Sequence, residues 1–378
     1  MQETVLKNAK LVFEHEIISG SVVLRDGMIC GAAAGPHTGG EDMEGDYIVP
    51  GLVELHTDHL ESHYSPRPGV RWDSMAALQA HDAQVVGSGI TTVFDCLRLG
   101  SDEDGGFLKG EMRAIGHAIE QAGNEERLRA SHLIHLRCEV SAGNVLEHFE
   151  DFRGDPQVRL ASLMDHAPGQ RQFATLDQYI LYYKKKVGLS DAEFDRFMAR
   201  RQQDSAKYSA GNRKAIAQAC NDRGIAIASH DDATLEHVEE SKGFGVRLAE
   251  FPTSIQAAQA SHEAGMSVMM GAPNIVRGKS HSGNISAKSL ADAGVLDVLS
   301  SDYVPISLIH APFLLASEEG GMDLPQAIRL VTATPARTVG LEDRGLIAEG
   351  LRADLVRVRH KQGVPVVRSV WREGRRVA

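Results

Sequence analysis

The sequence predicts an α/β chain built as a (β/α)8 TIM-type barrel with a small flanking β-sandwich domain formed by both termini. Two observations carry the barrel: apolar, β-favouring runs recur eight times through the middle of the chain, and segments whose apolar residues return every three or four positions lie between them. The sandwich rests on a third, the short alternating strand-like segments at both ends. An open doubly wound sheet is the alternative topology for the same alternation.

Residues 4–13, 17–24 and 28–33 read as strands, the last two joined by the turn Arg25-Asp26-Gly27, and the Gly-rich stretch 35–45 links them to the first long apolar run. The C-terminal segments 353–358, 364–370 and 375–377 have the same look, with Lys361-Gln362-Gly363 as a turn. Pairing the two ends gives one small domain, 1–46 with 341–378, and leaves 47–340 as the barrel. The eight barrel runs are 48–55, 91–97, 132–140, 158–164, 225–229, 248–251, 267–270 and 295–299. Helical spacing marks 75–86, 109–122, 213–222 and 257–264 among others. The polar piece 175–212, which holds Tyr182, Tyr183 and the run Lys184 to Lys186, is expected to be an extra helical excursion after the fourth strand, with the lysines on a solvated face.

At 378 residues, 42% hydrophobic and 24% charged, the composition is that of an ordinary soluble protein with a sizeable core. No apolar run reaches the roughly 18 residues that span a bilayer, and the start MQETVLKNAKLVF lacks the charged-then-apolar shape of a secretory signal, so no membrane partner and a cytoplasmic location are expected. Cys30, Cys96, Cys138 and Cys220 are far apart in the sequence and read as reduced core thiols. A formal charge of -11 argues against a nucleic-acid partner, yet allows a small anionic substrate wherever basic residues gather locally. Nothing in the sequence excludes a homo-oligomer.

The unusual residues fall where the barrel runs end. His56 and Asp58 leave the first, Glu139 the third, Asp165 and His166 the fourth, His230, Asp231 and Asp232 the fifth, and Asp302 the eighth. Active sites of this fold assemble at that face from several strand ends. Imidazole nitrogens and carboxylate oxygens suit zinc, manganese or a similar divalent metal, one ion or two. Any single histidine is more often a hydrogen-bonded structural residue than a ligand. Coincidence at five strand ends is what argues for metal, and the proposed set is His56, Asp58, Glu139, His166, His230 and Asp302. Asp165, Asp231 and Asp232 have an equal claim to capping the next helix in each case. On the first strand His56 and Asp58 stand two apart and face one side, while His59 points the other way and His63 falls in the loop beyond.

The segments YIVPGLVELHTD, GITTVFD, SSDY and GLIAEGLRADLV resemble the metal-dependent amidohydrolase superfamily over nearly the whole chain. More narrowly, HTDHLE, SLMDHAPGQRQF, ASHDDAT, MGAPNIVRGKSHSGN and SSDY resemble its branch of ribosyl methylphosphonate triphosphate diphosphatases in carbon–phosphorus lyase metabolism. The resemblance implies hydrolysis of a polyanionic ribosyl phosphonate triphosphate with release of pyrophosphate. It also implies that Asp302 touches metal and accepts a proton from water, and that Glu139 bridges. Two departures stand out. His56-Thr57-Asp58 replaces the superfamily's usual His-x-His, and His166 and His230 sit one strand earlier than its usual histidine pair.

A substrate with so many phosphates needs donors. The candidates are Arg67 in SPRPGVRW, Arg137 on the third strand, Gln170 and Arg171 in PGQRQ, and Arg277, Lys279, His281, Ser282 and Asn284 in the glycine-rich stretch after the seventh strand. An ordinary polar loop with solvated charges is the plain alternative for that stretch. Two other functions compete: a cyclic-amide hydrolase or deaminase, and a barrel that has lost catalysis and serves as a scaffold. A neutral ring has no use for so many anion donors, and a scaffold gains nothing from carboxylates gathered in one pocket.

Overall fold

The computed structural model describes every residue except 1–2, 101–109, 172–179, 181–189, 279–283 and 318–320. Tyr182, Tyr183, Lys184 to Lys186, Lys279, His281 and Ser282 therefore lie outside the described residues.

The N-terminal strands are β1 (Glu3–Val12), β2 (Ile17–Arg25), β3 (Met28–Ala34), the two-residue β4 (Glu41–Asp42) and β5 (Tyr47–Pro50). The barrel strands come next as β6 (Leu52–Thr57), β7 (Ile90–Leu99), β8 (Ser131–Glu139), β9 (Val158–Met164), β10 (Ala226–His230), β11 (Leu248–Glu250), β12 (Ser267–Gly271) and β13 (Val298–Ser300). The chain ends in β14 (Leu355–Arg359), β15 (Val366–Arg372) and β16 (Arg375–Arg376).

Strands β6 to β13 pair in sequence order, and each pair is parallel. The bridge between Thr57 and Asp302, with the Asp58 N–H donating to the Asp302 carbonyl at 3.2 Å, brings β13 back to β6 and closes the (β/α)8 barrel. All eight expected runs contribute a barrel strand.

The run 48–55 differs from expectation because it divides at Gly51. Its first part, β5, joins the terminal sheet and only β6 enters the barrel. The Gly51 N–H donates to the Asp354 carbonyl at 2.7 Å, and a Cβ on Gly51 would lie 2.1 Å from the Thr91 hydroxyl oxygen. Only glycine lets the chain cross between the two sheets that closely.

Both termini contribute to one sheet of order β16-β15-β14-β5-β1-β2-β3, with β4 beside β1. The sheet folds over its own core. Leu6, Leu24, Ile29, Met43, Ile48, Leu355 and Trp371 pack as one cluster, and Ile29 on the β3 edge exchanges backbone hydrogen bonds with Leu351 and Gly350 at 2.8 and 2.9 Å. All four cysteines are free thiols.

From Asp191 onward the excursion is continuous with the segment 213–222 in one helix, Asp191–Arg223. A capping box between Ser190 and Glu193 starts it, and Gly224 in the left-handed conformation stops it.

The barrel interior is layered. Val53, Leu55, Phe94, Leu160, Ala226, Ala228, Leu248, Met269 and Val298 form an apolar floor. One step further along the strands the buried residues turn polar: Cys96, His135, Ser162 and Glu250. The two-residue period of β7 carries Phe94 in the floor, Cys96 above it and Arg98 at the mouth.

Outside the barrel a buried ionic network ties helix Ser74–Gly87 to β7 and β8. His132 lies 2.7 Å from Asp95 and 3.3 Å from Asp82, and Asp82 also accepts the Arg129 and Ala130 N–H groups. Burial works against the imidazolium, but the Asp95 and Asp82 charges win and His132 titrates at about 9. A raised folded-state value means that this stability is complete below the ordinary histidine range and is lost as pH rises through about 9. Wild-type protein is therefore expected to lose roughly 2–3 kcal/mol of unfolding free energy between about pH 6 and pH 10 that His132→Gln does not lose. Urea unfolding of both proteins across that range checks this; parallel curves would refute it.

Candidate metal centre

The mouth of the barrel is built from the last two residues of several strands and the one or two beyond. Strand β6 delivers His56, whose N–H donates to Glu54 Oε1 at 2.7 Å. Its ring nitrogen Nδ1 lies 3.2 Å from Glu250 Oε1, while His230 at the end of β10 places its own Nδ1 3.0 Å from Glu250 Oε2. One buried carboxylate thus holds both imidazoles, which stack with centroids 6.0 Å apart at 16°. With Nδ1 engaged, Nε2 of each ring is the nitrogen available to an ion. The price of this arrangement is a desolvated carboxylate: burial pushes Glu250 well above the usual range, against the pull of Arg137.

Asp58 comes directly after β6. Arg137 Nη1 on β8 donates to both its oxygens at 2.7 and 2.6 Å, and Arg98 Nη2 on β7 donates to Oδ2 at 2.8 Å. Burial opposes ionisation, but the two guanidinium groups hold Asp58 well below the usual carboxylate range. Asp302, two residues beyond β13, behaves oppositely. Burial and then the Asp58 charge raise it to about 7. Asp302 has a φ of 54°, a left-handed conformation rare outside glycine, where its carbonyl meets Thr57 and Asp58.

Ligand-type atoms of His56, Asp58 and Asp302 lie within 4.8 Å of one another, and so do those of His166, His230 and Asp231. Asp231, φ 58°, is raised to about 6 mainly by burial. Glu139 closes β8 and pairs with His166, Oε2 to Nδ1 at 2.7 Å, while Oε1 accepts the His166 N–H at 3.1 Å. Burial would raise Glu139, yet the His166 charge and hydrogen bond bring it to about 2. Arg201 Nη2, from the long helix, is 3.6 Å away.

These donors fit a divalent ion. Two imidazoles keep Nε2 available, and three carboxylates converge where burial makes uncompensated negative charge costly. Of the six proposed ligands, five fall in the two groups. Glu139 lies beside the second through His166.

The three aspartates weighed as helix caps do something else. Asp165 accepts from Ser205 and Ser209 at 2.9 and 2.6 Å and so docks the long helix on the mouth. Asp232 pairs with Arg171 and accepts from Ser241, while the cap of helix Leu235–Gly243 is Thr234. Asp231 joins a ligand group.

Beside the mouth lies a cavity of ≈ 720 Å³ lined by Asp165, Gln170, Arg171, Ser209, Arg213 and His237, among others. Arg171 is buried and paired with Asp232 and Glu240, and Arg213 Nε sits 3.7 Å from Glu240. Arg137 is committed to Asp58 and so positions that carboxylate. Arg67 and Arg277 are exposed and outside the cavity lining, and Asn284 is half-buried. Sequence reasoning missed Arg98, Arg201, Arg213 and the pairing role of Glu250. The alternation Phe94, Cys96, Arg98 was a usable signal for the first; the two helix arginines carried none.

A model of the amidohydrolase family matches residues 191–378. The alpha-D-ribose 1-methylphosphonate 5-triphosphate diphosphatase of Escherichia coli K12 is 46% identical over 99% of this chain and 100% of its own length. The chain belongs to the amidohydrolase family. An imidazolonepropionase of Rhodococcus jostii RHA1 is 25% identical over 98% of this amidohydrolase and 88% of its own length. Among solved structures, the N-acetyl-D-glucosamine-6-phosphate deacetylase of Mycobacterium smegmatis shares the fold, with a TM-score of 0.63 at 17% identity over 99% of this chain and 100% of that one. In this amidohydrolase the ligand-type residues leave barrel strands one, three, four, five and eight. Among the described residues, no helix is long and apolar enough to cross a membrane.

Proposed function

We propose that this amidohydrolase hydrolyses alpha-D-ribose 1-methylphosphonate 5-triphosphate to 5-phospho-alpha-D-ribose 1-methylphosphonate and pyrophosphate, in the cytoplasm and in phosphonate catabolism. The observation that carries the reading is full-length similarity, at 46% identity, to the Escherichia coli diphosphatase of that substrate. When bound by His56, Asp58, His166, His230, Asp231 and Asp302, with Glu139 supporting His166, one or two ions of zinc, manganese or a similar metal supply Lewis acidity toward phosphoryl oxygens and lower the pKa of water.

The chain's own groups do the rest. Asp302 Oδ accepts a proton from the attacking water, a task suited to a carboxyl that titrates at about 7. Glu250 keeps His56 and His230 oriented, and Arg137 with Arg98 keeps Asp58 ionised. Arg171, Gln170 and Arg213 face the adjoining cavity and offer N–H groups to the triphosphate, and Arg67, Arg277, Lys279, His281, Ser282 and Asn284 are the further donors.

Assays of pyrophosphate release from ribosyl and nucleoside triphosphates test the reading. Opening of a cyclic amide without pyrophosphate would replace it with the second function. Absence of any turnover in metal-loaded protein would favour a scaffold. Arg277→Ala is expected to raise KM for the triphosphate about 10- to 100-fold with metal content unchanged. Equal loss of metal would make Arg277 structural.

A further inference from the structure

His59 and His63 lie one turn apart on helix His59–Tyr64, so their side chains share a face, and the rings stack with centroids 5.1 Å apart at 18°. His81, wholly buried on helix Ser74–Gly87, brings its ring to 6.0 Å from each of them. One ring nitrogen from each of the three lies within 4.8 Å of the others. We propose that His59, His63 and His81 form a second cation site, on the outer side of the barrel wall, for a borderline divalent metal of the zinc class.

Unsatisfied nitrogen is the first argument. Nδ1 of His59 and Nδ1 of His81 are buried and have no hydrogen-bond partner among the described residues. A buried ring nitrogen left unpaired costs about 1–3 kcal/mol, and two beside each other need an explanation. A cation satisfies both.

The second is the support behind the rings. His81 Nε2 lies 2.9 Å from Asp95 Oδ1, the carboxylate–imidazole pairing that orients a metal-binding histidine through its other nitrogen. His63 Nε2 lies 3.1 Å from the Gln84 side-chain oxygen, which orients that ring too. His132 is no competitor for the site, because both of its nitrogens are taken by Asp95 and Asp82.

Donor chemistry selects the ion. Three imidazoles without a carboxylate suit zinc, nickel or copper(II) and offer little to magnesium or calcium. Tetrahedral zinc wants nitrogens about 3.3 Å apart, so binding draws together three rings whose nitrogens already lie within 4.8 Å of one another. His63 is only half-buried, so a water can complete the coordination. The ion would pin the helix that begins after Asp58 to the helix that packs beneath it.

The test uses full-length protein stripped of metal and reloaded with zinc. Elemental analysis is expected to find one zinc equivalent fewer in His63→Leu than in wild type, with hydrolysis within about twofold of wild type and a smaller zinc-induced rise in Tm. Equal zinc content would overturn the proposal, and so would a loss of zinc matched by loss of activity, which would assign these histidines to the barrel mouth. Should His63→Leu not fold, zinc-edge anomalous diffraction from zinc-loaded wild-type crystals decides. A peak between His59, His63 and His81 upholds the site, and its absence at saturating zinc removes it.

Discussion

Asp302→Asn is expected to lower kcat by about 10²- to 10⁴-fold while leaving most of the metal in place. The asparagine keeps the size of the side chain and one oxygen that can still face an ion, so the loss isolates proton acceptance. Burial and the neighbouring Asp58 charge put the Asp302 carboxyl at about 7, high enough to take a proton from water and low enough to be ionised at mildly alkaline pH. Rates should therefore rise with pH through the neutral range in metal-loaded wild type, and the variant should show no such limb. Turnover within tenfold of wild type would remove Asp302 from the proton-accepting role. Parallel loss of metal and turnover would make it a ligand alone.

The second large effect is expected at a residue that need not touch metal. Glu250 receives His56 on one oxygen and His230 on the other. Glutamine in its place retains one accepting oxygen and presents an NH2 group to the second imidazole, so one ring loses its orienting partner. Glu250→Gln should weaken metal affinity about 10- to 100-fold, with kcat largely restored by excess metal. Competition with a chelator measures the first part and metal titration of activity the second. Unchanged affinity would show that the imidazoles need no such support. Lost turnover that metal does not restore would place Glu250 in the chemistry itself.

The two variants separate jobs that the sequence presents alike, as single acidic residues at the ends of apolar runs. Period-two alternation places Asp58 on the same side as His56, and helical spacing between the runs suggests that their ends converge, because a parallel barrel brings every strand's C-terminal end to one face. That much comes from local pattern. Fold class, strand count and a gathering of histidines and carboxylates were accordingly legible. The change of sheet at Gly51 was not: the continuous run 48–55 satisfies both sheets equally as a sequence, and only the crowding of Gly51 against Thr91 shows where one ends.

Pairing is what the tertiary structure decided. Arg137 reads as a phosphate donor until Asp58 is found across the barrel, 79 residues away in sequence. Asp165 and Asp232 read equally well as helix caps until the long helix reaches Asp165 from later in the chain and Arg171 reaches Asp232 from earlier in it. His59 and His63 read as one residue facing the wrong way and another in a loop until a short helix turns both rings toward His81 and its partner Asp95. Residue type and spacing determine which groups can do chemistry and which face they leave from. What each group meets there depends on contacts made across the barrel and between its layers, and those set its charge and its free lone pair.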